Sequence, residues 1–204
     1  GTDDGTIIST TLNQKDNSGF RLDSDLFSSL DVSINNLGIF NNEVWVMTNS
    51  GIFRISKADH SVEKVEIINQ LGDTLNINIT TVAFQNESYY IGSASQGLMV
   101  AKFKDGKLNV EQHYQSSKKY DAATINSDGI NDLMISNDIL FIGNINLDIT
   151  SIESQDVFKQ PTDNFNLKNP SVFAVYDTEN FLFTGSSSGL VIYDNQNNSD
   201  YNLL

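Results

Sequence analysis

Four segments of this chain superimpose on one another, and their spacing constrains the fold more than any other feature. They are the runs 44–55, 89–103, 140–152 and 182–194. In each run, an aromatic residue leads into a turn of small residues, and a second apolar run follows. The aromatic residues are Trp45, Tyr90, Phe141 and Phe183, which lie 45, 51 and 42 residues apart. A period of this length is typical of repeat architectures.

The repeat extends upstream of each aromatic residue. Eleven residues before the aromatic stand Ile34, Ile79, Ile130 and Val172, and eight residues before it stand Leu37, Val82, Leu133 and Val175. Because the same apolar positions recur in all four copies, we treat the copies as equivalent structural units.

Each unit holds three or four runs of strand length, rich in Ile, Val, Phe and Tyr and separated by Asn, Asp and Gly. The unit around Tyr90 predicts strands over 79–85, 88–94, 98–104 and 107–114. Connections of two to four residues predict antiparallel hairpins. A four-stranded sheet cannot bury both of its faces alone, so the sequence predicts an all-β fold. The predicted fold is a β-propeller of four-stranded antiparallel blades with a repeat of about 45 residues. A β-sandwich or barrel of short strands is the alternative.

The predicted domain organisation is a single propeller segment over residues 1–204. It comprises a partial blade over 1–24 and blades over about 30–67, 77–115, 128–160 and 170–204. The opening run GTDDGTIIS aligns with MTNSGIFRI, which places Gly5 on Gly51 and starts the chain after the second strand of a blade. We therefore expect a piece of a larger propeller, with an unusual ring closure as the alternative.

The runs SDGINDLMISNDILFIGN (127–144) and SINNLGIFNNEVWVMTNSGIFRIS (33–56) resemble the two-component-regulator propeller repeat. That repeat builds periplasmic sensor domains of bacterial hybrid histidine kinases and related signalling proteins. Met47 and Thr48 depart from its Gly-Thr pair, and Leu147 and Asp148 depart from its Gly-Leu pair. The resemblance implies a non-catalytic sensing or binding domain in the periplasm or outside the cell.

Charge and composition exclude several classes of function. Twelve basic against 26 acidic side chains give a net charge of −14, which disfavours nucleic acid and anionic membrane surfaces as partners. The chain has no cysteine, so it has no disulfide, thiolate metal site or thiol nucleophile. His60 and His113 are its two histidines, and they fall in separate units without a carboxylate at a convincing spacing. We therefore expect no enzyme activity, the alternative being a propeller-fold lyase or glycosidase that uses Asp128 and Asp148.

The best candidate for a metal loop is NSDGINDL (126–133), with side-chain oxygens at Asn126, Asp128 and Asp132. The loop resembles the calcium loop of integrin-type propeller repeats. Thr124 stands where an aspartate opens that loop, however, and the other three units do not repeat the pattern. We therefore interpret it as a polar turn before a strand, and predict neither a metal nor another cofactor.

The turns between the second and third strands of the blades emerge on one face of a propeller. Their predicted ligand-binding residues are Asn49, Ser50, Ser95, Gln96, Asn144, Asn146, Ser186 and Ser187. Short hydroxyl and amide side chains suit a carbohydrate or another polar ligand, although tight turns favour the same residues. The expected partners are the remainder of the chain's own propeller or receptor, with a homodimer formed through the full-length receptor. A structural or protein-interaction propeller of a surface or secretion assembly is the alternative function.

Overall fold

The computed structural model describes residues 3–15, 19–116, 124–144, 147–151, 171–178, 180–194 and 199–203. Within these ranges the regular secondary structure is entirely β-strand. The strands are β1 (Thr6–Lys15), β2 (Gly19–Ser29), β3 (Ile34–Phe40), β4 (Glu43–Thr48), β5 (Gly51–Ser56), β6 (Val62–Ile68), β7 (Thr74–Leu75), β8 (Ile79–Gln85), β9 (Ser88–Ser93), β10 (Leu98–Lys104), β11 (Lys107–Tyr114), β12 (Asp132–Ser136), β13 (Ile139–Gly143), β14 (Leu147–Ser151), β15 (Val172–Asp177), β16 (Phe181–Ser186), β17 (Gly189–Asp194) and β18 (Ser199–Leu203).

Consecutive strands pair in antiparallel fashion and form one hairpin and four meanders. The hairpin is β1–β2; the first meander is β3–β6, the second β8–β11, the third β12–β14 and the fourth β15–β18. The first and second meanders join because β6 and β11 pair in parallel over three residues, where Lys107 Nζ lies 2.7 Å from Glu66 Oε2. The short strand β7 adds to β6.

The predicted strands around Tyr90 agree with β8, β9, β10 and β11 to within one residue. Two-residue turns in which both residues take a positive φ close four of the described hairpins, at residues 41–42, 86–87, 105–106 and 137–138. This conformation matches the twist of the flanking strands. Strand β2 continues to Ser29, beyond residue 24 where the sequence placed the end of the partial unit. Residues 152–170, which include part of the predicted unit over 128–160, lie outside the described ranges.

The first meander packs on the second through a cluster of aromatic rings. Trp45 stacks on Tyr89 with their ring centroids 4.9 Å apart, and Phe40 meets Trp45 edge-on at 5.9 Å. The guanidinium carbon of Arg54 lies 4.8 Å from the centroid of the Phe103 ring, while Arg54 Nη1 donates to Glu43 Oε2 at 3.2 Å. Large aromatic surfaces and a paired cation therefore close this interface.

The later interfaces reuse the same positions of the repeat. In the interface between the second and third meanders, Tyr90 belongs to a buried cluster with Leu133 and Leu140 of the third meander and with Ile130, which precedes β12. In the interface between the third and fourth meanders, Phe141 packs against a cluster built on the fourth meander around Val172, Val175, Leu182 and Tyr193. In the first three meanders, the second-strand aromatic residue thus contacts the meander that follows it.

The four repeat aromatics are not equally buried. Trp45 and Tyr90 are each 1% exposed, whereas Phe141 and Phe183 are half-buried. Phe183 lies within 6.3 Å of Tyr176 and 6.2 Å of Phe181, ring centroid to ring centroid. Those two neighbours are 65% and 37% exposed. The four aromatic positions are therefore equivalent in register but not in burial, and Phe183 lies on a face of the fourth meander that is open to solvent.

This difference predicts unequal effects of one substitution at equivalent positions. Tyr90→Ala should lower the free energy of unfolding by about 3–5 kcal/mol, because it leaves a cavity between two packed meanders. Phe183→Ala should lower it by about 1–2 kcal/mol, because part of that ring is already in water. Urea denaturation of both variants measures the difference. Equal losses would contradict the assigned packing.

Candidate functional site

A buried or half-buried hydroxyl organises three of the turns between second and third strands. Thr48 Oγ1 accepts a hydrogen bond from Ser50 N and donates one to Gly51 O. Ser93 Oγ accepts from Gln96 N at 2.7 Å and donates to Gly97 O at 3.1 Å. Ser186 repeats the arrangement with Ser188 N and Gly189 O. The hydroxyl gives the turn N–H group a partner and adds a hydrogen bond to the carbonyl oxygen; Gly97 O, for example, also accepts from Ser93 N at 3.2 Å.

The residue after each hydroxyl connects the turn to the start of its own meander. The backbone N–H groups of Asn49, Ala94 and Ser187 donate to the carbonyl oxygens of Ser33, Asn78 and Ser171. The three N···O distances are 3.0–3.1 Å. The second-to-third turns and the beginnings of the first strands therefore lie along one edge of the molecule, which we call the rim.

Polar side chains continue the rim from one meander to the next. Asn35 Nδ2 donates to Ile79 O at 2.6 Å, and Thr80 Oγ1 donates to Ile130 O at 2.5 Å. Asn131 Nδ2 donates to Val172 O at 2.7 Å. Each donor follows the first apolar residue of one unit, and each acceptor is that same apolar residue of the next unit. The rim is thus a hydrogen-bonded series of equivalent positions.

The structure distributes the sequence-predicted ligand residues unevenly along this rim. Asn49, Ser95, Gln96 and Ser187 are exposed, and Ser50 is half-buried. The Ser186 hydroxyl serves its own turn, as described above. Asn144 is fully buried, and its carbonyl accepts from Val172 N at 2.7 Å, so it belongs to the packing between meanders rather than to the exposed set. Asn146 lies outside the described residues.

An open cleft of about 470 Å³ lies at the beginning of the rim. The turn before β1, the β2–β3 connection and the β4–β5 turn surround it. Its lining residues are Asp3, Asp4, Asp31, Val32, Ser33, Asn49 and Ser50. Three exposed carboxylates, an amide and two hydroxyls give a polar surface of negative potential with many hydrogen-bond acceptors.

The sequence-based prediction found two residues of this cleft and missed its three aspartates. The repeat register contained the missing signal, since Asp3 and Asp4 align with Asn49 and Ser50 when Gly5 is placed on Gly51. Asp31 occupies the polar position that precedes the first strand of its unit. The cleft exists because two equivalent turns, one before β1 and one before β5, lie next to each other.

The candidate calcium loop uses its carboxylates for internal bonds. Asp128 Oδ1 accepts from Ser116 N at 2.6 Å. Asp132 accepts from Leu133 N at 2.9 Å and from Val175 N at 2.8 Å. Within the described residues, three or more His, Cys, Asp or Glu side chains do not cluster in a way that could hold a metal ion.

The groups weighed for catalysis are also separated or occupied. His113 Nε2 lies 2.5 Å from the carbonyl oxygen of Gln96, in the second meander, whereas His60 sits in the β5–β6 turn with a φ of 59°. Asp128 is held by a backbone N–H, and the side chain of Asp148 lies outside the described part of the structure. The pairing of Asp128 with Asp148 that the glycosidase alternative requires therefore falls partly outside the described residues.

The hydroxyl of Ser93 offers a direct test of the turn arrangement. Ser93→Ala should lower the free energy of unfolding by about 1–3 kcal/mol, because Gln96 N–H loses its hydroxyl acceptor and Gly97 C=O loses one of its two donors. The matched control is Ser95→Ala in the same turn, whose side chain is exposed and whose loss should stay within about 0.5 kcal/mol. Chemical denaturation of both variants gives the comparison, and a larger loss for Ser95→Ala would refute the arrangement.

Asp132 predicts a pH dependence of stability. Burial raises the pKa of its carboxyl above the usual 3.8, against the opposing effect of the Val175 and Leu133 N–H groups. The folded state therefore holds this proton to a higher pH than the unfolded chain does, so stability is lost as pH rises from about 4 through the raised pKa. Denaturation curves between pH 3.5 and 7 should show this decline in the native protein relative to Asp132→Asn. The opposite slope would contradict the assignment.

Comparisons with known proteins identify the fold and not a family. The chain matches no family model and no curated protein. Among solved structures it is similar to the extracellular domain of BT4673 from B. thetaiotaomicron, named as a one-component system in one structure and a hybrid two-component system in another. The two alignments have TM-scores of 0.71 and 0.72 at 15% and 16% identity, covering 99% of this chain but 29% and 28% of that domain.

A second neighbour is the WD40 β-propeller domain of Doa1, with a TM-score of 0.60, 12% identity and coverage of 98% of this chain and 62% of the other. The chain thus spans less than a third of the BT4673 domain and less than two thirds of the Doa1 domain. In the described residues, no helix is present that could cross a membrane. The protein has an all-β fold of the β-propeller type.

Proposed function

We propose that this chain is a non-catalytic part of an extracytoplasmic sensing propeller, and that its rim cleft binds a polar ligand such as a carbohydrate. The observation that carries the proposal is the cleft itself, where Asp31 and Asn49 face the same open space as Ser33 and Ser50. The turns that form the cleft are braced by backbone hydrogen bonds, including that from Asn49 N to Ser33 O, so its groups are held in place before a ligand arrives.

The proposal takes the meanders as blades of a propeller with a repeat of about 45 residues. Four-stranded pairing in the first, second and fourth meanders supports this assignment. The recurring bonds from Asn35 to Ile79 and from Thr80 to Ile130 also support it, because they join successive units at one repeat position. The remainder of the same propeller, in the same receptor chain, is then the first expected partner, and a homodimer would form through the full-length receptor.

The sensing role draws its support from the BT4673 neighbour. Its structure is an extracellular domain of a signalling system, and it covers nearly the whole of this chain. By analogy we place this chain in the periplasm or outside the cell. The internal use of Asp128 and Asp132 and the separation of the two histidines support binding rather than catalysis.

The chemistry of the cleft favours a neutral or cationic ligand with many hydroxyl donors. Carboxylates accept hydrogen bonds from paired sugar hydroxyls, and an amide can both donate and accept. An anionic ligand would meet the combined repulsion of Asp3, Asp4 and Asp31. A neutral oligosaccharide or an amino sugar fits this pattern.

The test is titration calorimetry of the 204-residue chain against neutral and amino oligosaccharides, selected first by thermal-shift screening. For a glycan that binds, Asp31→Ala with Asn49→Ala should weaken affinity at least tenfold, because a hydrogen bond to the Asp31 carboxylate contributes about 1.5–3 kcal/mol and one to the Asn49 amide about 0.5–1.5 kcal/mol. The control is Asp105→Asn in the β10–β11 turn, where φ is 53° and asparagine is well tolerated. It should leave the affinity unchanged.

Two results would reject the carbohydrate proposal. One is the absence of any stabilisation across the glycan panel by a chain that remains folded. The other is glycan binding that Asp31→Ala and Asn49→Ala leave intact, which would place the ligand elsewhere.

A structural or protein-interaction propeller is the second candidate function. The observation in its favour is the apolar surface on the fourth meander, where Phe173, Tyr176, Phe181 and Leu190 are between 37% and 65% exposed. Exposed apolar surfaces of this kind mark contacts with other protein surfaces. If the chain binds no glycan and still assembles with another protein into a larger complex, this candidate is favoured.

A further inference from the structure

The hairpin β1–β2 has the local geometry of the third and fourth strands of a complete unit. Gly5 takes a φ of 83°, as Gly97 does with 79° at the start of β10. A Cβ at Gly5 would lie 1.5 Å from Leu30 O, and one at Gly97 would lie 2.1 Å from Tyr114 O. Both glycines therefore allow the same close approach of backbone at the end of an outer strand.

In complete units, the third strand is paired along both of its edges. Strand β5 pairs with β4 and β6, β10 pairs with β9 and β11, and β17 pairs with β16 and β18. Strand β1 pairs with β2, and no strand in the described part of the chain pairs with its second edge. This leaves a ten-residue strand with a row of backbone groups open to pairing.

The neighbouring face of the first meander is uncovered at the matching place. Leu37 is 38% exposed, although the equivalent residues Val82, Leu133 and Val175 are 8%, 7% and 6% exposed. Ile39, two residues further along the same strand, is 66% exposed. By contrast, Val46 and Ile55 of the same meander are fully buried in a cluster with Ile7 and Leu30 of the β1–β2 hairpin. The outer half of this face is thus covered and the inner half is not.

The interface between the first and second meanders shows what normally covers the position of Leu37. Val82 is buried in a cluster with Trp45 and Met47 of β4, against which Phe40 of β3 also packs. These residues belong to the first two strands of the preceding unit. The group missing above Leu37 is therefore an antiparallel hairpin of the β3–β4 type, carrying alternate large apolar residues on one face.

We propose that the open edge of β1, together with Leu37 and Ile39, is a docking slot for an additional β-hairpin with the sequence pattern of this repeat, a segment other than the hairpins described above. The hairpin adds its second strand to β1 and lays its aromatic residues on Leu37 and Ile39, which completes a four-stranded unit. The inference rests on the propeller architecture of the proposed function and is independent of its ligand.

The described hairpins of the chain itself cannot fill this slot without breaking other pairs. Strands β4, β9, β13 and β16 each pair with the third strand of their own unit. The occupant therefore has the chemistry of these hairpins while being a separate segment. The proposed docking surface combines the open edge of β1 with the exposed side chains of Leu37 and Ile39, so backbone pairing would set the register and apolar contact would provide the affinity.

The experiment adds a fluorescein-labelled peptide of residues 33–50, SINNLGIFNNEVWVMTNS, to the full chain and measures fluorescence anisotropy. We expect saturable binding with a one-to-one stoichiometry. Leu37→Lys with Ile39→Lys in the chain should weaken the binding at least tenfold, and a scrambled peptide should bind equally weakly. The matched control is Leu71→Lys, at a side chain 87% exposed in the β6–β7 connection, which should bind like the native chain.

Three results would overturn the proposal. The first is no saturable binding by a chain whose circular dichroism shows it folded. The second is binding that survives the Leu37 and Ile39 substitutions but is lost on Tyr176→Lys with Phe181→Lys, which would place the peptide on the fourth meander. The third is a dimer of the chain alone in sedimentation, dissociated by Leu37→Lys, which would make a second copy the occupant.

The peptide assay contains no glycan, so it separates this inference from the proposed ligand. Peptide binding without glycan binding would retain the docking slot and reject the carbohydrate site. Glycan binding without peptide binding would retain the carbohydrate site and reject the slot.

Discussion

The packing of one β-sheet face on the next is the interaction on which the rest of this structure depends. Each meander has apolar side chains on both faces, so neither face is stable in water without a neighbour. Trp45 and Tyr90 are almost fully buried because another meander follows each of them, whereas Phe183 is partly in water on the outer face of the fourth meander. The burial of each of these aromatic residues therefore depends on the surfaces that pack against its meander as well as on the residue itself.

The rim depends on a second feature, a bulge near the beginning of the first strand. The pairing register shifts around Asn35 in β3, Thr80 in β8 and Phe173 in β15. A bulge redirects one side chain out of the alternating pattern, and here it turns Asn35 and Thr80 onto a carbonyl of the next unit. Much of the rim's polarity thus serves to join the units. The exposed side chains of the cleft do not take part in these bonds between units, so they remain accessible to a ligand.

The candidate site could be predicted in part from the turn residues. Asn49 and Ser50 lie in the cleft as expected, because their turn matches the repeat and projects from the rim. The residue type alone could not predict that the Ser186 hydroxyl bonds within its own turn whereas the neighbouring Ser187 is exposed. Asn144 has the same polarity as Asn49 and yet is fully buried. A side chain's availability depends on its hydrogen-bond partners, and those come from distant parts of the chain.

The sequence by itself determined the strands and their hairpins, because alternating apolar residues and turn-forming Asn, Asp and Gly act over a few neighbouring positions. The sequence also contained a trace of the bulge. Apolar residues on one face of a regular strand are two positions apart, whereas Ile79 and Val82 are three apart, and the structure places both in one buried cluster. Only the tertiary structure decided the parallel pairing of β6 with β11, the cleft beside Asp31 and the exposure of Leu37. Each of these depends on which residues far apart in sequence come into contact, and a local pattern does not specify such contacts.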